Sequence, residues 1–206
     1  MALSTYDELK ASIADFLNRD DLTSVIPDFI KLAETGMNRE VRHWRMEKRA
    51  TAALDTQYTA LPSDFLEPIR MSLNTADTNT LEMVNAFQIS NLRAQNLNTS
   101  GRPVNFAILD GSIEVFPTPD ASYTLEMLYY ETIDTLNAQT ATNWVLTNFP
   151  DAYLYGSLIH SAPYLQDDTR ANTWAALYQK AINDINLESE RSKTSGSGRR
   201  MKIRSY

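Results

Sequence analysis

Apolar residues recur with a helical period near both ends of the chain and with a strand period between them. Near the N-terminus Thr5-Tyr6-Asp7-Glu8 reads as a capping box, and Leu9, Ile13, Phe16 and Leu17 give the helix that follows an apolar stripe. After a polar break at 18–21, Ile26, Ile30, Ala33, Met37, Val41 and Trp44 recur at steps of three and four. They predict a second helix from Pro27 to about Arg42. Toward the C-terminus Asn148-Phe149-Pro150-Asp151 marks a helix start, with Pro150 in a first turn that needs no N–H. Leu154, Leu158, Ala162 and Leu165 then share one face. Pro163 removes a backbone donor and is expected to end or kink this helix near Ser161. A connector at 164–167 follows, with Asp167 or Asp168 as the next N-cap. Trp174, Leu177, Tyr178, Ala181, Ile182 and Ile185 predict a last helix over 169–190, roughly 33 Å long at ~1.5 Å per residue. So short a connector makes these two helices antiparallel neighbours.

Between the helix pairs the period changes. Residues 46–54 carry no helical stripe, and 55–57 reads as a turn. A short strand at 58–61 stops at Pro62, and the tight turn 61–67 folds Phe65 and Leu66 inward. Strands are expected at 68–73 and 80–84, around a polar loop at 74–79. Asn85 caps a modest helix carrying Phe87, Ile89, Leu92 and Leu97. Residues 104–109 and 113–116 flank Asp110-Gly111, a dipeptide that tolerates the positive φ angles of a type I′ hairpin. A further strand at 123–133 alternates Tyr123, Leu125, Met127 and Tyr129 with Thr124, Glu126, Leu128 and Tyr130. A polar linker at 134–143 leads back to the helices.

The layout is α+β: an antiparallel helix bundle, made of an N-terminal helix pair and a C-terminal helical hairpin, with an inserted small antiparallel β-sheet region. One domain is expected over 1–190, with helices within 5–44 and 148–190 and the insertion at 45–135. Residues 191–206 form a flexible, Ser/Gly-rich and basic C-terminal tail.

Charge divides the chain along the same line. The formal net charge is −7, yet residues 191–206 carry six basic side chains and no acidic one; setting that +6 aside leaves −13 for 1–190. An acidic body repels nucleic acid, while the tail is drawn to an acidic partner. The chain has no cysteine, which excludes thiolate chemistry and Cys-based zinc sites. No leader and no run long enough to span a bilayer is read in it, so a cytoplasmic origin without membrane contact is expected.

Chemistry is hard to find. His43, at a helix end beside Arg42 and Arg45, and His160 each stand without the partners that nucleophilic or metal chemistry needs, and both read as structural. No P-loop, H-E-x-x-H, G-x-S-x-G or G-x-G-x-x-G occurs. Asp20-Asp21 and Asp167-Asp168 sit where helix caps belong, and Glu188 and Glu190 lie on the last helix, so none is assigned a metal. Glu126 and Glu131 fall on opposite faces of a strand, which argues against a catalytic pair. Tyr123, Tyr129 and Tyr130 lack the basic interleaving of a base-stacking platform and read as core and subunit contacts. Catalytic, cofactor and metal sites are all expected to be absent.

Two features ask for a partner. The last helix carries Asn172, Gln179, Lys180, Asn183, Asp184 and Asn186, expected to face solvent or sister subunits. The tail ends in Arg199-Arg200-Met201-Lys202-Ile203-Arg204-Ser205-Tyr206, where Met201, Ile203 and Ser205 alternate with Lys202, Arg204 and Tyr206. Alternation in a segment too short to fold alone predicts a strand added to a partner's sheet edge.

Three segments carry a resemblance. Gly36-Met37-Asn38-Arg39-Glu40-Val41-Arg42 with Met46-Glu47 is the first, and Leu61-Pro62-Ser63-Asp64-Phe65-Leu66-Glu67 the second. The third runs from Phe149-Pro150-Asp151-Ala152-Tyr153-Leu154-Tyr155-Gly156-Ser157-Leu158-Ile159 to Ala162-Pro163-Tyr164-Leu165. In order, they resemble the head-to-tail adaptor (connector, or head completion) proteins of tailed bacteriophages. The resemblance implies a non-enzymatic virion protein assembled in the host cytoplasm. It implies self-association into a ring, usually twelve-fold, between the portal protein and a tail, tail-tube or nozzle protein, with genomic DNA passing through without sequence-specific binding. It also implies a C-terminal tail that grips the portal, here Arg199, Arg200, Met201, Lys202, Ile203, Arg204 and Tyr206. The rival readings are another ring-forming virion part (tail terminator or tail-tube protein), a phage-associated hydrolase, and a nucleic-acid binder using its basic tail.

Overall fold

The computed structural model describes residues 3–75, 79–96, 99–165 and 169–194. Contacts divide the chain into two units: one built from the residues up to Arg45 together with those from Ile133 onward, the other from Met46–Thr132. The described residues form six α-helices and two four-stranded sheets, so the fold is α+β.

In the first unit α1 (Tyr6–Leu17) begins at the capping box expected for it: Thr5 Oγ1 accepts the Glu8 N–H, and the Glu8 carboxylate accepts the Thr5 N–H. α2 (Ile26–Glu40) carries its proline in the first turn and buries Ile26, Ile30, Ala33 and Met37. Val41 closes that stripe, whereas Trp44 leaves it: a short 3₁₀ turn (Trp44–Met46) follows α2, and the Trp44 side chain is exposed.

Helix α4 (Trp144–Asn148) is a five-residue element that the apolar period does not announce. Asn143 caps it by accepting the Leu146 N–H. α5 (Pro150–Leu165) packs against α1, α2, α4 and α6 (Ala171–Thr194), and Tyr153, Leu154 and Leu158 are buried among them.

Three expectations for the helices need correction. α5 does not stop near Ser161 but continues through Pro163 to Leu165. Proline in the last turn forfeits one intrahelical bond instead of disrupting a ladder on both sides. α6 runs to Thr194, four residues past its expected end at Glu190, so Arg191, Ser192 and Lys193 are helical, and the two cations sit favourably at the negative end of the helix dipole. Leu177 is exposed and Tyr178 turns inward. Both residues fit a three-and-four spacing with Trp174 and Ala181; what selects Tyr178 is room beside Gly36 and Gly156. The expected caps Asp167 and Asp168 lie outside the described residues.

The second unit is a sandwich. One sheet has the order β1-β8-β3-β4, from Glu47–Leu54, Tyr123–Glu131, Phe65–Leu73 and Asn79–Thr80. The other has the order β2-β7-β6-β5, from Tyr58–Ala60, Ser112–Phe116, Asn105–Leu109 and Glu82–Met83. Leu54, Met71, Leu73, Leu125, Met127 and Tyr129 of the first sheet share a core with Phe106, Ile113 and Val115 of the second. The β6–β7 hairpin turns at Asp110 and Gly111, with φ of 46° and 69°, as their side chains predict.

β8 alternates as expected, but it does not extend that hairpin: it runs between β1 and β3 in the other sheet. β1 was not signalled as a strand because its core positions, Ala50, Ala52 and Leu54, include two small alanines. Nor is every pairing antiparallel, since β5 joins β6 in parallel. α3 (Ala86–Gln95), capped by Asn85 with Gln88, lays Ile89 on Ala107 and Phe116, so the second sheet is covered on both faces there. Phe87, expected in the stripe, is exposed. Arg93 of α3 donates to the Glu114 carboxylate at 3.0 Å and to the Val115 carbonyl at 3.0 Å, which pins the helix to β7.

Candidate functional site

Two of the three segments that carry the family resemblance, those with Gly36 and Gly156, meet in the helical unit at one side chain, Tyr178. A Cβ placed on Gly156 would lie 3.1 Å from the Tyr178 ring and 3.1 Å from the Ala33 Cβ. One placed on Gly36 would lie 3.3 Å from the Tyr178 hydroxyl. Two glycines in helix interiors, each costing about 1 kcal/mol against alanine, thus make sense as a seat for this ring. Burial raises the Tyr178 hydroxyl above its ordinary value, and the Glu40 carboxylate that accepts its hydrogen bond raises it further.

Around Tyr178 lies a shallow groove. Leu32 and Arg39 of α2 form one wall, Ala175 and Gln179 of α6 the other, with Ile159 and His160 of α5 between. The rest of the α2–α6 contact is polar: Asn186 Nδ2 donates to the Glu40 carbonyl at 3.0 Å, its Oδ1 accepts the Arg42 N–H at 2.9 Å, and Ser189 Oγ accepts the Trp44 N–H at 3.0 Å. Asn186, expected to face solvent or a sister subunit, instead serves the C-terminal end of α2. The other five polar residues named on α6 are exposed.

His43 is wholly buried, not a polar helix end. It stacks on Trp144 at 4.9 Å, with the Trp44 and Phe149 rings at 5.4 and 6.1 Å. Its Nδ1 accepts the Arg45 N–H at 3.2 Å, and Nε2 lies 4.0 Å from the Glu188 carboxylate. This geometry packs the ring as part of the core and leaves no opening to a substrate. His160 is half-buried at the groove, and its pKa is lowered, first by burial and then by the Arg39 charge.

The buried carboxylate of Glu34 is the group here whose chemistry most resembles a site. Its Oε1 accepts the Leu136 N–H at 2.8 Å and the Tyr153 hydroxyl at 3.1 Å. Tyr153 in turn accepts from Asn143 Nδ2 at 2.6 Å, and Asn143 also donates to the Asp134 carbonyl at 2.7 Å. These bonds fasten the returning segment 134–143 to α2 and α5, and Asn38 Oδ1 adds another by accepting the Ile133 N–H. Glu34 is therefore a clamp.

Burial raises its pKa from the ordinary 4.5, against the two hydrogen bonds that lower it. A carboxyl raised in the folded state stabilises the fold fully below its unfolded pKa and loses that contribution as pH rises through its folded pKa. Glu34→Gln keeps an acceptor oxygen and cannot ionise. The stability of the parent relative to this variant is expected to fall as pH rises from 4.5 toward neutrality, read from urea melts across that range. A difference independent of pH would contradict the clamp as described.

Several other charged groups are tied into ion pairs. Lys48 bridges Asp64 at 2.5 Å and Glu131 at 2.9 Å, and the Tyr129 hydroxyl donates to Asp64 at 2.9 Å. Burial and that bond push Tyr129 up to about 12, while the Lys48 ammonium holds Asp64 below the usual carboxylate range. Asp64 belongs to the 61–67 turn of the resemblance, where it closes one end of the sandwich. Glu126 pairs with Arg49 and Arg70 on the opposite face, so Glu126 and Glu131 do not meet. Asp21 is held by Arg19 at 2.6 Å. Among the described residues no three acidic or histidine side chains are grouped to hold a metal ion, and no helix is long and apolar enough to cross a membrane.

The predicted portal-contacting residues, Arg199, Arg200, Met201, Lys202, Ile203, Arg204 and Tyr206, lie outside the described residues, as does Leu97, which was expected on the helix capped by Asn85. What precedes them is described: Ser189 is the last buried of the described residues, and 190–194 form an exposed helical end carrying Arg191 and Lys193. Sequence reasoning missed the groove. Its signal was present in Gly36 and Gly156, glycines inside otherwise regular helices.

Fold and site together define a scaffold whose polar clusters fasten segments to one another. The family comparison identifies which scaffold: the chain belongs to the SU10 adaptor protein family, whose model matches residues 4–201, and is a phage adaptor protein. No curated protein matches it.

Proposed function

We propose that the protein is a structural connector of a tailed phage. It forms a ring beneath the portal, joins the DNA-filled capsid to the tail or tail-tube, and lines the channel through which DNA passes. The family match over 4–201 carries this reading. Charge supports it: a body of −13 gives DNA a repulsive wall along which it slides instead of sticking. The basic residues 199–206 grip the portal from the exposed end of α6, through Arg199, Arg200, Lys202 and Arg204 to acidic groups and through Met201 and Ile203 to apolar pockets.

Subunits that repel one another need a template. Light scattering at micromolar concentration is expected to find isolated chains monomeric or weakly associated, and to find a ring-sized increment in mass when the portal is added. A stable twelve-fold ring without portal would remove the templating step and leave the family assignment untouched. No change in mass with portal would overturn the function.

A further inference from the structure

We propose that neighbouring copies in the ring meet with Leu177 and Asp184 of one chain's α6 against Leu32 and Arg39 of the next chain's α2. This rests on the ring reading above and names the surface that would hold it together. A closed ring needs a heterologous interface, two different patches on each copy that fit one another. The two flanks of α6 supply them.

On one flank lies the groove of Leu32, Ala175 and Tyr178, where Leu32 is 49% exposed although it sits in a helix otherwise anchored by its apolar residues. Leu177 is two residues from Ala175, about 200° around the helix, and is 36% exposed on the other flank. Each side chain keeps a solvent-exposed apolar surface.

Charge sets the register. Arg39 follows Leu32 by seven residues and Asp184 follows Leu177 by seven, so each charge lies about 10.5 Å beyond its leucine along the helix. Seven residues are close to two turns, which returns leucine and charge to the same face of each helix. Arg39 is exposed at the edge of the groove, with Nε donating to the Thr35 carbonyl at 3.2 Å. Asp184 is exposed and makes no hydrogen bond or ion pair among the described residues. An apolar contact followed at equal spacing by opposite charges fits two helices running in the same direction.

That direction is the one a ring demands. Within one chain α2 and α6 run in parallel, since Gly36 meets Tyr178, Glu40 meets Asn186 and Trp44 meets Ser189, with both numberings rising together. In a twelve-fold ring adjacent copies differ by a rotation of about 30°, so a neighbour's α6 keeps the same general sense as this chain's α2. A two-fold dimer would present the helices in other senses and would bring like patches together.

The chain has no native cysteine, so introduced ones report without background. Leu32→Cys and Leu177→Cys are made as separate full-length variants, mixed, assembled on portal and oxidised. Disulfide formation needs Cα atoms within about 7 Å, a distance reached only across the proposed contact. The mixture is expected to give a covalent dimer and either variant alone only monomer. A ring by electron microscopy with no dimer from the mixture would overturn this interface and leave the ring standing. Dimer from Leu177→Cys alone would overturn it in favour of a two-fold contact, and failure to form any ring would overturn both readings.

As a second arm, Arg39→Asp and Asp184→Arg are each expected to reduce assembly on portal about tenfold, and the double variant to recover it to within about twofold. Loss in the double variant as large as in the singles would overturn the pairing.

Discussion

Leu158→Ala is expected to cost about 2–5 kcal/mol of folding stability, while Leu177→Ala, at a side chain that is partly exposed, costs clearly less, about 1 kcal/mol. The two leucines differ in surroundings, not in chemistry. Leu158 is 0% exposed on α5, and α5 is flanked by α1, α2, α4 and α6, so the cavity left by truncation has no free side from which to collapse. Its neighbours Ser157 and Ser161 are buried as well, which leaves no side chain able to swing in from solvent. Leu177 is 36% exposed on α6, so part of its side chain already meets solvent and its truncation leaves a smaller void. Urea melts of both variants measure the contrast. A Leu177→Ala loss equal to that of Leu158→Ala would mean that the isolated chain buries Leu177 and that the Tyr178 register is wrong.

That contrast shows how far the sequence could be read. The stripe on α2 and the capping boxes of α1 and α3 follow from local rules, and each stands where side-chain spacing puts it. The Asp110-Gly111 hairpin is equally local, because its turn depends on two residues with positive φ. Tertiary choices were not legible. Leu177 and Tyr178 suit the last helix equally until Gly36 and Gly156, more than 140 and 20 residues away respectively, leave room for a ring. Placing β8 between β1 and β3 requires knowing that strands distant in sequence outcompete the adjacent hairpin. β1 was hidden because small alanines suffice to face the core opposite Leu125 and Met127.

The candidate site was divided in the same way. Charge asymmetry and alternation point to 199–206 from sequence alone, whereas the groove at Tyr178 appears only when three helices assemble. The Glu34 clamp was equally invisible, since its partners Leu136, Asn143 and Tyr153 lie more than a hundred residues on.

Truncation after Gly198 is expected to separate folding from function completely. The last buried of the described residues is Ser189, so a chain ending at 198 keeps every described core contact and should match the parent in melting. On the proposed function it should nevertheless lose the portal, because Arg199, Arg200, Lys202 and Arg204 would supply the charge attraction while Met201 and Ile203 would fill pockets along a sheet edge. In particles the consequence is DNA-filled heads that leak and carry no tails. The two forces separate with salt. At about 1 M the Debye length falls to ~3 Å, which removes most of the attraction between exposed charges and leaves backbone pairing and apolar burial. Ile203→Asp should therefore weaken binding even there.

The decisive measurement is co-sedimentation of the chain truncated after Gly198 with portal, beside the full-length chain. Full-length protein is expected to sediment with portal and the truncated chain to remain in the supernatant. Full-strength binding by the truncated chain would contradict the assignment, because the helical body would then dock by itself and residues 199–206 would serve only as a solubilising end.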